Sequence, residues 1–151
     1  MIRTDAEYRN ALERLDEEAE TLDRQRAHLR QEMGLSDDEM ERAMQPMISF
    51  SKQLEEEVEV YERMKRGDLG ELQSLRAIGR WLIGARIARG LTQEELAERL
   101  DVSPSQVSRD ERNDYRGITV DRAQRIMDAL GVRFEAGAEN VLDRQREHEH
   151  A

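Results

Sequence analysis

TQEELAERLDVSPSQVSRDE, residues 92–111, decides how the rest of the chain is read. It holds two helix-start signals around one tight turn. Thr92 followed three residues on by Glu95 is a capping box: hydroxyl and carboxylate satisfy amide groups that a helix start leaves without partners. A short helix is predicted from Gln93, with Leu96, Ala97 and Leu100 as its apolar stripe and Ala97 small where a second helix must cross closely. The turn falls at Asp101, which tolerates the left-handed conformation better than most residues. Ser103 and Gln106 form the second capping box, and Pro104 sits at the first helical position, where its missing amide hydrogen is harmless. Val107 faces inward, which leaves Ser105, Gln106, Ser108 and Arg109 on the outer face near the amino end of this second helix.

The spacing of Gln93, Leu96, Ala97, Leu100, Val102 and Val107 resembles the phage-repressor (Cro-like, or XRE) helix-turn-helix family, over roughly residues 72–135. That resemblance implies a bundle of about five helices that binds double-stranded operator DNA as a dimer. The outer face of the second helix then becomes a recognition helix at about 103–112, lying in the major groove where base edges are read. Carried over by position, Gln93 contacts a phosphate, and Pro104, Ser105 and Arg109 stand at or beside base-reading positions. Arg109 is the candidate for a bidentate contact to guanine. With the capping Ser103, Gln106, Ser108 and Arg112, these residues make up the candidate DNA-binding set. Asp101 stands where the family has a turn glycine, and Asp110 where it usually has an apolar core residue. Either the helix ends early and Tyr115 or Ile118 fills the gap, or Asp110 pairs with a nearby arginine.

Of 151 residues, 38% are charged and 4% aromatic, with two prolines and no cysteine. Scarce aromatic side chains and abundant helix formers predict an all-α fold. The absence of cysteine excludes a disulfide framework and fits a reducing cytoplasm. No apolar run approaches the length of a membrane span or a signal-peptide core, so the expectation is a cytoplasmic protein without membrane contact. The net charge of −10 is unevenly placed. Residues 1–70 hold 11 basic against 19 acidic side chains, a balance of −8, whereas residues 71–136 hold 11 of each. In that neutral segment Arg76, Arg80, Arg86, Arg89, Arg109, Arg112, Arg116, Arg122 and Arg125 are candidates for a phosphate-facing side.

Residues 5–33 carry Tyr8, Leu12, Leu15, Ala19, Leu22, Arg26, Leu29 and Met33 in alternating steps of four and three, a heptad seam. Gly34 is its stop signal. Ser36 and Glu39 open a second long helix, with Leu35 and Met40 spaced as a hydrophobic staple and the stripe Met40, Ala43, Met47, Phe50, Leu54, Val58 and Tyr61. The two helices are expected to fold back as a long amino-terminal antiparallel hairpin, about 40 Å in length, with a kink before Pro46. The expected organisation is therefore an arm at 1–67 for interaction or dimerisation, a joint rich in glycine, a DNA-binding head at 71–136 and a polar tail at 137–151.

Within the head, residues 71–89 are predicted to form one helix with Leu72, Leu75, Ile78, Gly79, Leu82, Ile83, Ile87 and Ala88 inward and Trp81 at the rim. Thr119 caps a last helix with Val120, Ala123, Ile126, Met127 and Leu130 inward, ended by Gly131. Val132 to Glu135 alternates apolar and polar and is the one strand-like stretch. A strand this short needs a partner, and its own copy in a homodimer is the expected one. Residues 140–151 are expected to be a short helix or a frayed tail.

No phosphate loop, nucleophile elbow or isolated carboxylate pair occurs, so the chain is not expected to be an enzyme, and no cofactor is implied. His148 and His150 flank Glu149 without a third anchored ligand, so no metal site is expected. Glu55, Glu56, Glu57 and Glu59 read as the wet face of a helix. The arm has two readings: a hairpin that lengthens or dimerises the protein, or an acidic platform for a basic protein partner, its methionines at 33, 40, 44, 47 and 64 giving an adaptable surface. Thr4 to Tyr8 with Ala11, Leu12, Tyr61 and Glu62 is also loosely similar to the amino-terminal region of HigA-type antitoxins. That similarity implies a small toxin as the partner and repression of a shared operon. The expectation is an antitoxin-like transcriptional repressor; the alternative is an acidic helical interaction module that binds a partner without reading DNA.

Overall fold

The computed structural model describes residues 1–138, and all regular structure among them is helical. Six α-helices occur in order: α1 Asp5–Gln31, α2 Asp37–Lys65, α3 Ile78–Ala88, α4 Gln93–Leu100, α5 Pro104–Arg112 and α6 Val120–Leu130, with a 3-10 turn Leu75–Ala77 before α3. The start signals act where the sequence places them. The hydroxyls of Thr4, Ser36, Thr92, Ser103 and Thr119 each accept a hydrogen bond from the amide three residues on, and at Thr92 the reciprocal bond from its own amide to Glu95 completes the box; the box expected at Ser103 is only half made, because the Gln106 side chain turns to Asp110 instead. Asp101 is left-handed, with φ 55°, and closes α4.

α1 and α2 pack as the antiparallel hairpin, but α2 on a face shifted from the expected seam. In α2 the buried line is Met40, Met44, Ser51, Val58 and Tyr61, with Ile48 and Leu54 half-buried, whereas Ala43, Met47 and Phe50 are exposed. Two neighbouring apolar lines run along the first half of this helix, and periodicity does not choose between them. Ser51 is small enough to let the helices close on the 44–48–51 line. In α1 Tyr8, Leu15, Leu22 and Leu29 of the expected seam are buried or half-buried and Ala11 joins them, while Leu12, Ala19 and Arg26 stay exposed, as does Met33 just past the helix end. Pro46 lies inside α2 without ending it, its ring on the solvent side.

One apolar core joins the base of the arm to the head. Ile2, Ala11, Val58 and Tyr61 belong to the same cluster as Leu82, Ile83, Leu96, Val107, Ile126 and Leu130. Tyr8 and Tyr61 stack at 5.0 Å, the Tyr8 hydroxyl donates to Glu62 at 2.6 Å, and the Tyr61 hydroxyl donates to Asp5. A second, smaller cluster of Leu29, Met40 and Met44 fills the far end of the arm.

The expected helix over 71–89 starts late, at Ile78. Ser74 caps the 3-10 turn instead, and Leu75 is left 72% exposed. Gly79 explains how closely α3 then sits on the α5–α6 connection. A β-carbon there would lie 1.9 Å from the Asp114 carbonyl oxygen. Trp81 packs at the rim, its indole donating to the Gly70 carbonyl at 3.4 Å. Val120, predicted inward, is 85% exposed at the first turn of α6. Val132 to Glu135 is irregular, and no strand occurs among the described residues: a strand whose partner would be a second subunit has no ladder to join within one chain. The expectations for residues 140–151, His148 and His150 included, lie outside the described residues.

Candidate nucleic-acid interface

α4 packs against α5, and α5 turns its amino end outward. Val107 is buried, while Ser103, Pro104, Ser105, Arg109 and Arg112 are exposed and Gln106 and Ser108 half-buried. The expected surface is therefore brought together on one side of one helix. Its polar groups are chained. Arg109 donates to the Gln106 side-chain oxygen at 3.2 Å and to the Ser105 carbonyl at 3.3 Å, and Gln106 donates to Asp110 at 3.0 Å. Asp110 also takes a close ion pair from Arg122 of α6. The helix continues to Arg112 with Asp110 at its edge, while Tyr115 is buried beyond its end. Pairing with Arg122 offsets an acid that would otherwise oppose a phosphate backbone.

The arginines divide into two groups. Arg80, Arg89 and Arg99 reach Asp114, the Gly131 carbonyl and the Ala129 carbonyl, and Arg122 is held by Asp110. Arg76, Arg112, Arg116 and Arg125 are exposed, with no side-chain partner among the described residues. With Arg109 they are exposed cations of the head that a polyanion could meet.

A family profile described as helix-turn-helix matches residues 82–136. This segment is a helix-turn-helix domain of the Cro-like (XRE) kind. It places a DNA-binding domain of transcription regulators in the chain. No curated protein and no solved structure matches the chain.

Beneath the exposed face of the helix-turn-helix lies a charged core that sequence spacing did not single out. Glu111 is fully buried and Arg86 is 3% exposed. The guanidinium grips the carboxylate through two bonds, Nε to Oε1 at 2.5 Å and Nη2 to Oε2 at 2.8 Å. Arg86 also donates to the carbonyls of Leu91 and Arg3, both at 2.7 Å. Arg86 is thus a structural cation, removed from the phosphate-facing set. The spacing itself carries the signal, since Glu111 stands four residues after the inward-facing Val107 and so shares its face of the helix. Gln93 donates one amide hydrogen to Glu111 Oε2 at 2.7 Å, so its side chain braces α4 against α5 and keeps one N–H for an outside acceptor. Through the Arg3 carbonyl, the segment before α1 reaches the same network.

Burial pushes the Tyr115 hydroxyl well above its ordinary pKa, and the charges of Glu111 and Asp110 push the same way. The hydrogen bond from Tyr61, then the one from Lys65, holds the Asp5 carboxyl below its ordinary value. Among the described residues no cluster of histidine and acidic side chains could hold a metal, and no helix is long and apolar enough to cross a membrane.

Proposed function

We propose that the chain is a sequence-specific transcriptional repressor that binds operator DNA as a dimer, with α5 as the recognition helix. The exposed face carrying Ser105, Gln106 and Arg109, flanked by Arg112 and with Asp110 offset by Arg122, is the observation that supports this reading most. Ser103, Pro104 and Ser108 line the helix start, Gln93 supplies a phosphate contact through its remaining N–H, and Arg109 reads a guanine. Two heads related by a twofold axis read half-sites about one helical turn, or a multiple, apart.

The test is a salt titration of fluorescence anisotropy with the DNA upstream of the gene and a scrambled duplex. At about 0.9 per phosphate contact, a dimer using two arginines per head gives a log–log slope of about −4. A flat salt response, or equal affinity for both duplexes, would refute sequence-specific regulation.

A second reading, an antitoxin-like interaction module, draws support from the arm. Its balance of −8 against a neutral head suits a basic protein partner on α1 and α2. Both activities are compatible in one chain, since the arm surface and α5 are separate elements.

A further inference from the structure

The shift of the α2 stripe leaves an apolar hollow halfway along the arm. Leu22 and Thr21 of α1 and Pro46, Met47 and Phe50 of α2 line a space of about 320 Å³, with Glu18 of α1 also in its wall. Phe50 is 54% and Met47 38% exposed. Both apolar clusters exclude these two side chains, although Leu22 packs on the one at the arm's far end; the Arg14 guanidinium lies over the Phe50 ring, 5.6 Å from its centroid, so one face of that ring already meets a cation.

Charge selects the occupant. In α1, residues 11–25 carry six acids against Arg14 and Arg24, a balance of −4, and in α2 residues 43–57 carry three against Lys52, a balance of −2. A second copy of the arm would bring the same acids against these, and residues 137–151 of this chain are themselves −2. A positively charged surface is attracted where those are repelled. Glu18 adds a specific point: its Oε2 is enclosed and lacks a hydrogen-bond partner among the described residues, while Oε1 stands 3.6 Å from Arg14. The Glu18 side chain as a whole is 25% exposed, and a rotation of its carboxylate would bring the oxygen that lacks a donor to an incoming ammonium or guanidinium.

We propose that the hollow formed by Leu22, Pro46, Met47 and Phe50 docks a basic amphipathic helix of a partner protein. One or two apolar side chains of that helix enter between α1 and α2, and a Lys or Arg beside them meets Glu18. The inference deepens the arm-binding reading and rests on it, but it is independent of DNA binding by α5.

The experiment uses the full chain and a fluorescein-labelled 18-residue peptide of Leu, Ala and Lys with its leucines on one helical face. A peptide of the same composition with the leucines dispersed separates groove docking from charge attraction. Docking predicts that the dispersed peptide binds at least tenfold more weakly, that Phe50→Ser together with Met47→Ser weakens the patterned peptide about tenfold, and that Glu18→Gln weakens it several-fold. Phe50 and Met47 are surface residues, so circular dichroism should show the variant folded, and its unchanged affinity for upstream DNA provides a second check. Equal binding of both peptides with no effect of the variant would leave only an acidic surface and overturn the docking site, though not the arm-binding reading. No binding of either peptide would reject both. Sedimentation showing that Phe50→Ser halves the mass of the free protein would assign the hollow to a second copy and overturn the proposal.

Discussion

Replacing Arg86 with Met keeps most of the apolar stem and removes the charge, and its consequence follows from the geometry around Glu111. The carboxylate is fully buried and receives two guanidinium bonds and one from Gln93. After the substitution only Gln93 remains, and the carbonyls of Leu91 and Arg3 lose their donor as well. Removing one partner of a buried ion pair costs about 3–5 kcal/mol, because the other charge stays buried and uncompensated. For a chain near 150 residues, about 2–4 °C per kcal/mol makes this a fall of roughly 6–20 °C in Tm. The double variant Arg86→Met with Glu111→Leu removes both charges and should recover most of the loss, since apolar replacements of buried pairs are often close to neutral. Thermal melts followed by circular dichroism at pH 7, run on both single variants and the double, close the cycle. A fall of less than about 1 kcal/mol for Arg86→Met, or a double variant no better than the worse single one, would refute the claim that this pair holds α3 to α5.

Arg109→Ala should weaken binding to the operator by about 1–3 kcal/mol and relax the base preference at one position; an equal loss on scrambled DNA would mark Arg109 as a phosphate contact only. Gly79→Ala forces a β-carbon against the Asp114 carbonyl, where backbone must move, and should destabilise by about 1–3 kcal/mol in urea unfolding. Tyr115 has its folded pKa raised, so its contribution is complete below the unfolded value of about 10 and is lost as pH rises beyond it. Tyr115→Phe should therefore reduce the fall in Tm between pH 9 and 11.5, and an identical alkaline profile would contradict this. Asp5 has the opposite sign: its folded pKa is depressed, so its contribution is present above about pH 4 and lost as the solution is acidified through the folded value. Asp5→Asn should flatten the stability profile between about pH 5 and 2.

The local signals that ended and began helices were legible in the chain because they act over three or four residues. Thr92 with Glu95, Ser103 with Gln106 and Pro104, and Asp101 in its left-handed turn needed no tertiary partner to be recognised, and they place the exposed face of α5. Periodicity likewise established two long helices folded into a hairpin. What it could not decide was which of two adjacent apolar lines on α2 would be covered, because spacing defines a face but not the neighbour that buries it. Met44 and Ser51 went inward, and Met47 and Phe50 were left in water. The same limit hid Leu75 and Val120, apolar residues whose faces the fold leaves open.

By itself, then, the sequence determined the helical class, the helix-turn-helix and the acidic arm, since capping, turn conformation and charge are properties of short stretches. Only the tertiary structure decided that Arg86, read as a phosphate-facing cation, is committed to Glu111, and that Arg122 offsets Asp110. An ion pair between residues 25 apart in sequence depends on two helices meeting. The strength of a charge's interactions is set by what surrounds it, and that is settled only when the chain packs.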